Sequence, residues 1–399
     1  MTTDLRIPAV FVRGGTSRAV LFHGRDLAGF GADERDAVIL TALGSPDPDG
    51  REVDGLGGGT SSLSKAAIIS PSKLPDLDVE FEFAQVEVEQ PFVDWSGTCG
   101  NISSAVGPFA IDEGLVNAVE PVTEVSVLAV NTGKRFVARV PVRSGQSASD
   151  GEFAIDGVPG TGARIDLEYF DPAGSLGRGT LPTGMSRECV DLPSGGNLAI
   201  SIVDVAIPTV FVRASDVGAD PRATAAELDD ETGLRRRLEE VRCVGAVRMG
   251  LCETPEEVHV QLRAVPKVAL IAPPARYETS DGRLVASADV DILARAVSME
   301  RFHRTYPTSV SMATAVAARI DGTLVAEAAM DTAPGPVRIG HPAGVMPIDC
   351  SVEPDGERWR VPRVTTYRTA RRIMEGKVLI PLSRLKRRSK LKAVASPDV

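Results

Sequence analysis

At 399 residues, with 43% hydrophobic and 25% charged, the chain is long and apolar enough for two or three packed domains, and its composition excludes global disorder. Its formal charge is 44 − 54 = −10, so bulk electrostatics gives no reason to expect a nucleic-acid partner. An anionic ligand would have to be held locally, by oriented amides and a few cations.

In chain order, the first element reads as a β-hairpin. Pro8–Val12 and Ser17–Phe22 flank the turn-rich Arg13-Gly14-Gly15-Thr16. Apolar positions at helical spacing predict a helix over Ala32–Leu43. Residues Val53–Ser62 form a loop dense in glycine and hydroxyls, after which Lys65 opens a strand through Ile69. Alternation predicts strands over Val79–Val88. A helix is expected to start near Asn101, and its small residues (Ser103, Ser104, Ala105, Gly107, Ala110) imply that neighbours grip it on most sides; Pro108 is expected to kink it. Strands follow over Val125–Val142 and on towards Phe170. Ala223–Val241 is predicted as one charged amphipathic helix with a solvated face, Val268–Ala272 as a buried strand and Val290–Met299 as a helix. Arg384, Lys386, Arg387, Arg388, Lys390 and Lys392 make a basic tail, read as a solvated terminus rather than a dock for an acidic partner.

An internal repeat is visible. Ile111-Asp112-Glu113-Gly114-Leu115-Val116 resembles Ile320-Asp321-Gly322-Thr323-Leu324-Val325, an offset of 325 − 116 = 209. The same offset sets Ser309–Ala315 against the small-residue helix, and Ile207–Val212 echoes Ile7–Val12. Two related halves are expected, a first domain over 1–190 and a second over 191–399 whose last strand returns to the first. Ligand sites favour the cleft such halves leave.

Five cysteines (Cys99, Cys189, Cys243, Cys252, Cys350) with no CxxC pair argue against disulfides and zinc, and the histidines (His23, His259, His303, His341) are too scattered to suggest a metal site. No apolar h-region follows Met1, and no apolar run approaches the ~20 residues of a membrane helix. A cytoplasmic protein with reduced thiols and no membrane partner is expected. The sequence leaves oligomeric state undecided, with a homodimer as the candidate assembly.

Cys99 lies between Gly97 and Gly100 at a presumed helix N-terminus, where dipole and free amides lower a thiol pKa. A buried structural cysteine is the alternative reading. The amides of Gly100 and Asn101 suit a carboxylate. Lys65, at a partly buried strand edge, is either a base of lowered pKa or an ordinary strand-end lysine. Arg13, Thr16 and Ser17 offer a cation and two hydroxyls within one turn, which is also what a plain hairpin turn contains. His341 in Gly340-His341-Pro342 is a further candidate beside a structural reading. Gly57-Gly58-Gly59-Thr60 lacks the GxxxxGK[ST] spacing and precedes a strand, which excludes a phosphate loop.

Taken in order, Val12-Arg13-Gly14-Gly15-Thr16-Ser17, Gly57–Lys65, Asp94-Trp95-Ser96-Gly97-Thr98-Cys99-Gly100-Asn101 and Gly340-His341-Pro342 resemble the PrpF family over about residues 7–381. That family includes 2-methylaconitate cis-trans isomerase, 3-methylitaconate isomerase and 4-oxalomesaconate tautomerase. The resemblance implies an α+β fold of the diaminopimelate-epimerase type, two similar domains each with a β-sheet wrapped around a central helix. It also implies Lys65 and Cys99 as an acid/base pair, no cofactor, and a small unsaturated carboxylic acid as substrate. Arg13, Thr16, Ser17, Gly58, Thr60, Ser61, Gly100 and Asn101 are then the candidates for holding that acid, with Thr209, Ser311 and His341 from the second half. Three departures stand out: Thr98 replaces the more usual Asn, Arg18 replaces a Lys, and Thr308 or Ser309 stands where a racemase of this fold has a second thiol. Asp94–Gly97 looks like the methylaconitate isomerases, and His303–Tyr306 like the tautomerases. The expectation is 2-methylaconitate cis-trans isomerase, with the other two acids as alternatives and a non-catalytic carboxylate-binding protein as the rival class.

Overall fold

The computed structural model describes residues 4–262, 265–298, 301–330, 335–356 and 358–385; of the basic tail, Lys386, Arg387, Arg388, Lys390 and Lys392 lie outside the described residues. The chain folds into two compact units. The first comprises the chain up to Ala154, Gly160–Leu167 and the segment from Arg368 onward; the second comprises Ile155–Pro159 and Glu168–Tyr367. The hand-over comes at Glu168 rather than near residue 190, because Glu188–Asp191 pairs antiparallel with the strand Asn197–Val205 of the second unit.

In the first unit, β1 (Asp4–Gly14) and β2 (Ser17–His23) form the expected hairpin. Helix α1 (Ala32–Leu43) follows, then β3 (Lys65–Pro71), β4 (Val79–Val86), helix α2 (Gly100–Asp112), β5 (Val122–Ala129) and β6 (Lys134–Arg143). The C-terminal strand Ala370–Pro381 pairs antiparallel with β1. Along the sheet the neighbours are antiparallel (β1–β2), parallel (β2–β3), antiparallel (β3–β4), parallel (β4–β5) and antiparallel (β5–β6). Helix α1 packs Val38, Ile39 and Leu43 onto Val20, Phe22, Ala66, Ile68, Ala84 and Val86. Each such side chain stabilises the unit by about 1.5–3 kcal/mol on burial. Helix α2 touches β1 and β2 at one end of the strand order and β5 and β6 at the other, so the sheet curls around it. Ten of its residues are buried, which is why the sequence fills it with Ser, Ala and Gly. It runs through Pro108 without interruption.

In the second unit the order is β7 (Asn197–Val205), β8 (Ile207–Arg213), helices α3 (Ala225–Asp230) and α4 (Thr232–Arg248), β9 (Lys267–Ala272), β10 (Ile292–Ser298), helix α5 (Thr308–Ala317), β11 (Val337–His341), β12 (Gly344–Asp355) and β13 (Arg358–Arg368). From β7 to β12 the pairing again alternates antiparallel, parallel, antiparallel, parallel, antiparallel. The two units therefore repeat one topology, with α5 in the place of α2. The 209 offset puts Gly100 of α2 at Ser309 of α5. The echo of Ile7 in Ile207 is a coincidence of composition: β8 occupies the place of β2, not of β1.

Two other expectations change. Val290–Met299 contains a strand, not a helix: Ile292 to Ala296 are buried on both faces, and a doubly buried strand has no alternation to separate it from a helix. The single helix over Ala223–Val241 is two, broken at Glu231 (φ −80°, ψ 82°), with Thr224 capping α3 through a reciprocal bond pair with Glu227. No helix among the described residues is long and apolar enough to cross a membrane.

The grip on α2 can be tested at Gly107, where a Cβ would lie 2.6 Å from Val140 Cγ2 and 3.0 Å from Ala138 Cβ. Gly107→Val should lower unfolding stability by about 2–3 kcal/mol, since the clash outweighs any gain in helix propensity. Gly233→Ala in α4, whose Cβ meets nothing within 4 Å, should be neutral or mildly stabilising in the same urea titration.

Candidate active site

Lys65 is the first residue of β3. Ala66 and Ile68 face α1, so strand alternation sends Lys65 to the opposite face. It is only 7% exposed. Directly across the ladder stands Gln85 of β4, whose Oε1 accepts a hydrogen bond from Lys65 Nζ. The ring of Phe83, two residues earlier on the same face, has its centroid 5.2 Å from Nζ. Burial holds the amine pKa below the usual lysine value, and proximity to Cys99 opposes that shift.

The loop before β3 is built around a carboxylate. Glu52 is buried, with a left-handed backbone (φ +54°), and accepts hydrogen bonds from Gly59 N (2.8 Å) and from Ser64 Oγ. Gly59 is itself left-handed (φ +68°), so the turn requires glycine there. Gln85 Nε2 donates to the carbonyls of Ser61 and Ser64, 3.1 Å each. Thr60 and Ser61 remain exposed, with Thr60 Oγ1 3.1 Å from Ser62 Oγ. Beside the loop, Arg18 lies close enough to Gly58 that a Cβ there would sit 2.6 Å from Nη2. Its guanidinium stacks over Phe11, 5.4 Å from the ring centroid, and its buried Nε has no hydrogen-bond partner.

Cys99 is the N-cap of α2, partly exposed, and its side chain makes no capping bond. The amides that follow, Gly100 and Asn101, belong to the first turn, which has no intrahelical acceptors. Asn101 ties this end of α2 to the hairpin turn. Its Nδ2 donates to Thr16 Oγ1 (3.1 Å) and Ser17 Oγ (3.4 Å), and its Oδ1 accepts from Arg368 Nε (3.3 Å). Gly14 has no room for a side chain, since its Cβ would lie 2.6 Å from the Asn101 carbonyl oxygen. Arg13 is placed differently from the carboxylate-holding role expected of it: its Nη1 donates to the carbonyls of Gly15 and Thr369, 2.9 Å each, and closes the turn. Thr98 Oγ1 is buried without a partner.

Thr209, Ser311 and His341 fall in the second unit, where all three are buried and locally bonded. Thr209 Oγ1 donates to Ile207 O (3.1 Å), Ser311 Oγ to Thr308 O (2.8 Å), and His341 Nδ1 accepts from Ala343 N (3.2 Å). Thr308 opens α5 behind Pro307, so the place of Cys99 in this half holds no thiol.

Sequence reasoning passed over Gln85, Glu52 and Arg368, and noted Arg18 only as a departure. Gln85 carried a signal: it is the one polar side chain among the inward positions Val79, Phe81, Phe83 and Gln85 of β4. Glu52 and Arg368 lie in irregular or distant segments and carried none. Among the described residues no three His, Cys, Asp or Glu gather as metal ligands.

The PrpF protein family model matches residues 4–381. The 2-methyl-aconitate isomerase of Cupriavidus necator is 40% identical, over 95% of this chain and 98% of that protein. The 3-methylitaconate isomerase of Eubacterium barkeri is 42% identical, over 96% and 100%. A crystal structure of a methylitaconate-delta-isomerase superposes with a TM-score of 0.82 at 40% identity, covering 96% of this chain and 98% of that one. A probable proline racemase from Agrobacterium radiobacter K84 has a TM-score of 0.53 at 12% identity, covering 94% and 93%, and shares the fold alone. The architecture is the diaminopimelate-epimerase-like α+β fold.

Burial of Lys65 has a thermodynamic signature. Its folded pKa lies below the unfolded one, so between the two values the unfolded chain binds the extra proton, and native stability rises with pH. Relative to Lys65→Met, the wild-type protein should gain stability as pH rises towards the ordinary lysine pKa of 10.5 in urea titrations. A flat difference across that range would mean that the amine is not desolvated.

Proposed function

The chain belongs to the PrpF family of isomerases, and from that membership we propose that it moves an allylic proton on a small unsaturated di- or tricarboxylic acid, with cis-trans isomerisation of 2-methylaconitate as its reaction. The observation that carries the proposal is the buried Lys65 amine, its pKa held down, beside the Cys99 thiol. Asp94–Gly97 and the Cupriavidus relative favour 2-methylaconitate. The second reading, 3-methylitaconate, is favoured by the Eubacterium relative and the superposed crystal structure.

Both readings share the chemistry. Neutral Lys65 Nζ takes the proton from the carbon next to C=C. The C–H electron pair delocalises through the double bond onto a carboxylate oxygen, giving a dienolate. Rotation followed by return of the proton to the same carbon gives cis-trans isomerisation; return to the far carbon moves the double bond. Cys99 supplies or guards the proton on the other face. The amides of Gly100, Asn101 and Gly58 hold the charge that develops, and being fixed in place they need not reorganise to do so. Arg18, Thr16, Ser17, Thr60 and Ser61 hold the remaining carboxylates. An amine of lowered pKa and fixed donors suffice for this step, so no cofactor is proposed.

The test is proton NMR in D2O with trans-aconitate, 2-methylaconitate, 3-methylitaconate and 4-oxalomesaconate. Isomerisation with deuterium uptake by 2-methylaconitate is expected. Lys65→Ala should lower the rate by about 10²–10⁴-fold, the usual worth of a general base. Folded wild-type protein that exchanges deuterium into none of the four acids would sink the reading and leave a carboxylate binder. In the same assay Arg18→Met should raise KM about tenfold or more with kcat little changed, as for a contact made equally in ground and transition states.

A further inference from the structure

We propose that Gln85 is the positioning residue for Lys65, aiming the amine without supplying a counter-charge and coupling that aim to the loop Ser61–Ser64. The inference rests on Lys65 being the base, as proposed above.

The amide can sit only one way round. Two main-chain carbonyls, Ser61 O and Ser64 O, lie 3.1 Å from one end of the side chain, and carbonyls accept only. That end must therefore be Nε2, which leaves Oε1 to accept from Lys65 Nζ. A neutral amine has two N–H donors and one lone pair. Holding one N–H on Gln85 restricts rotation about Cε–Nζ and turns the lone pair away from β4. The Phe83 ring covers a second direction.

The residue type follows from the task. A glutamate would keep an acceptor on Nζ but would face two carbonyls without a donor and would stabilise the ammonium. A leucine would leave the amine and both carbonyls unpaired. An asparagine is one methylene too short to serve both ends. Across the ladder from Gln85, on the side away from Lys65, stands Asp94, whose Oδ1 accepts from Ser96 N (2.8 Å). On β4 the inward neighbours of Gln85 are apolar, and Glu80 and Glu82 lie on the other face. On β2 the titratable side chains are Arg18 and His23. From the loop comes Glu52, whose two oxygens are taken by Ser64 and Gly59, and from α2 comes Cys99.

The experiment measures kcat and KM against pH for Gln85→Glu, Gln85→Asn and Lys65→Ala, using whichever acid the wild-type enzyme isomerises. Gln85→Glu should move the acid limb of kcat to higher pH by about one unit or more, because a carboxylate favours the protonated amine. It should lose about 10–100-fold in kcat at neutral pH, recover most of that loss above the shifted limb, and keep KM within a few-fold. Gln85→Asn, which adds no charge, should lower kcat at all pH values with the limb unmoved, and it keeps the test alive if the glutamate variant does not fold. An unshifted limb in Gln85→Glu, or wild-type kcat in Gln85→Asn, overturns the role of Gln85 while leaving Lys65 as base. Activity retained in Lys65→Ala instead overturns the assignment of the base, and this proposal with it.

Discussion

Burial of one amine is the constraint from which the rest of the first unit's site follows. Water would leave the Lys65 amine at its ordinary pKa; burial on the face of β3 lowers it. An amine placed there must still have a hydrogen-bond partner, and a carboxylate partner would cancel the effect of burial by restoring the charge. The structure answers with an amide, an aromatic ring and a thiol. The same amide then fastens the loop that carries Thr60 and Ser61, so the strand that holds the Lys65 amine also holds the loop of the candidate carboxylate-holding hydroxyls.

The repeated topology shows how such a site arises in one half and not in the other. Lys267 opens β9 as Lys65 opens β3. At the head of the central helix, Thr308 and Ser309 stand at the 209 offset from Cys99 and Gly100. The scaffold is thus duplicated while the chemistry is concentrated in the first copy. The head of the second helix holds no thiol to match Cys99.

What the sequence made legible follows from range. The hairpin turn, the bounds of α1 and the crowded helix α2 are local patterns of turn residues, helical spacing and small side chains, and each appears where the residues indicate it. The 209 offset sets the heads of the two helices against each other, Gly100 against Ser309, while Ile111-Asp112 closes α2 and Ile320-Asp321 lies just beyond α5. Strand β10 was misread because a strand buried on both faces loses its period of two. Arg13 was misassigned in chemistry rather than in place: a cation in a glycine turn suits a carboxylate, but here two main-chain carbonyls occupy its Nη1. Arg368 was invisible because only the return of the C-terminal segment brings it to Asn101, 267 residues away in sequence.

Several groups at the site are also left in states that folding alone would not select. The Nε of Arg18 and the Oγ1 of Thr98 are buried without partners, and Glu52 adopts a left-handed backbone that costs an ordinary residue about 1–3 kcal/mol. All three lie in segments flanking Lys65 or Cys99, and Arg18 and Thr98 are also the two positions where the first unit departs from the usual motif. A buried guanidinium nitrogen without an acceptor is a standing demand for an anion. Under the proposed function, a carboxylate arriving at Arg18 supplies the missing acceptor and so draws binding energy from the cost of leaving it unmet. Under that same function, the departures at Arg18 and Thr98 bear on which carboxylates of the acid are held rather than on the proton-transfer step.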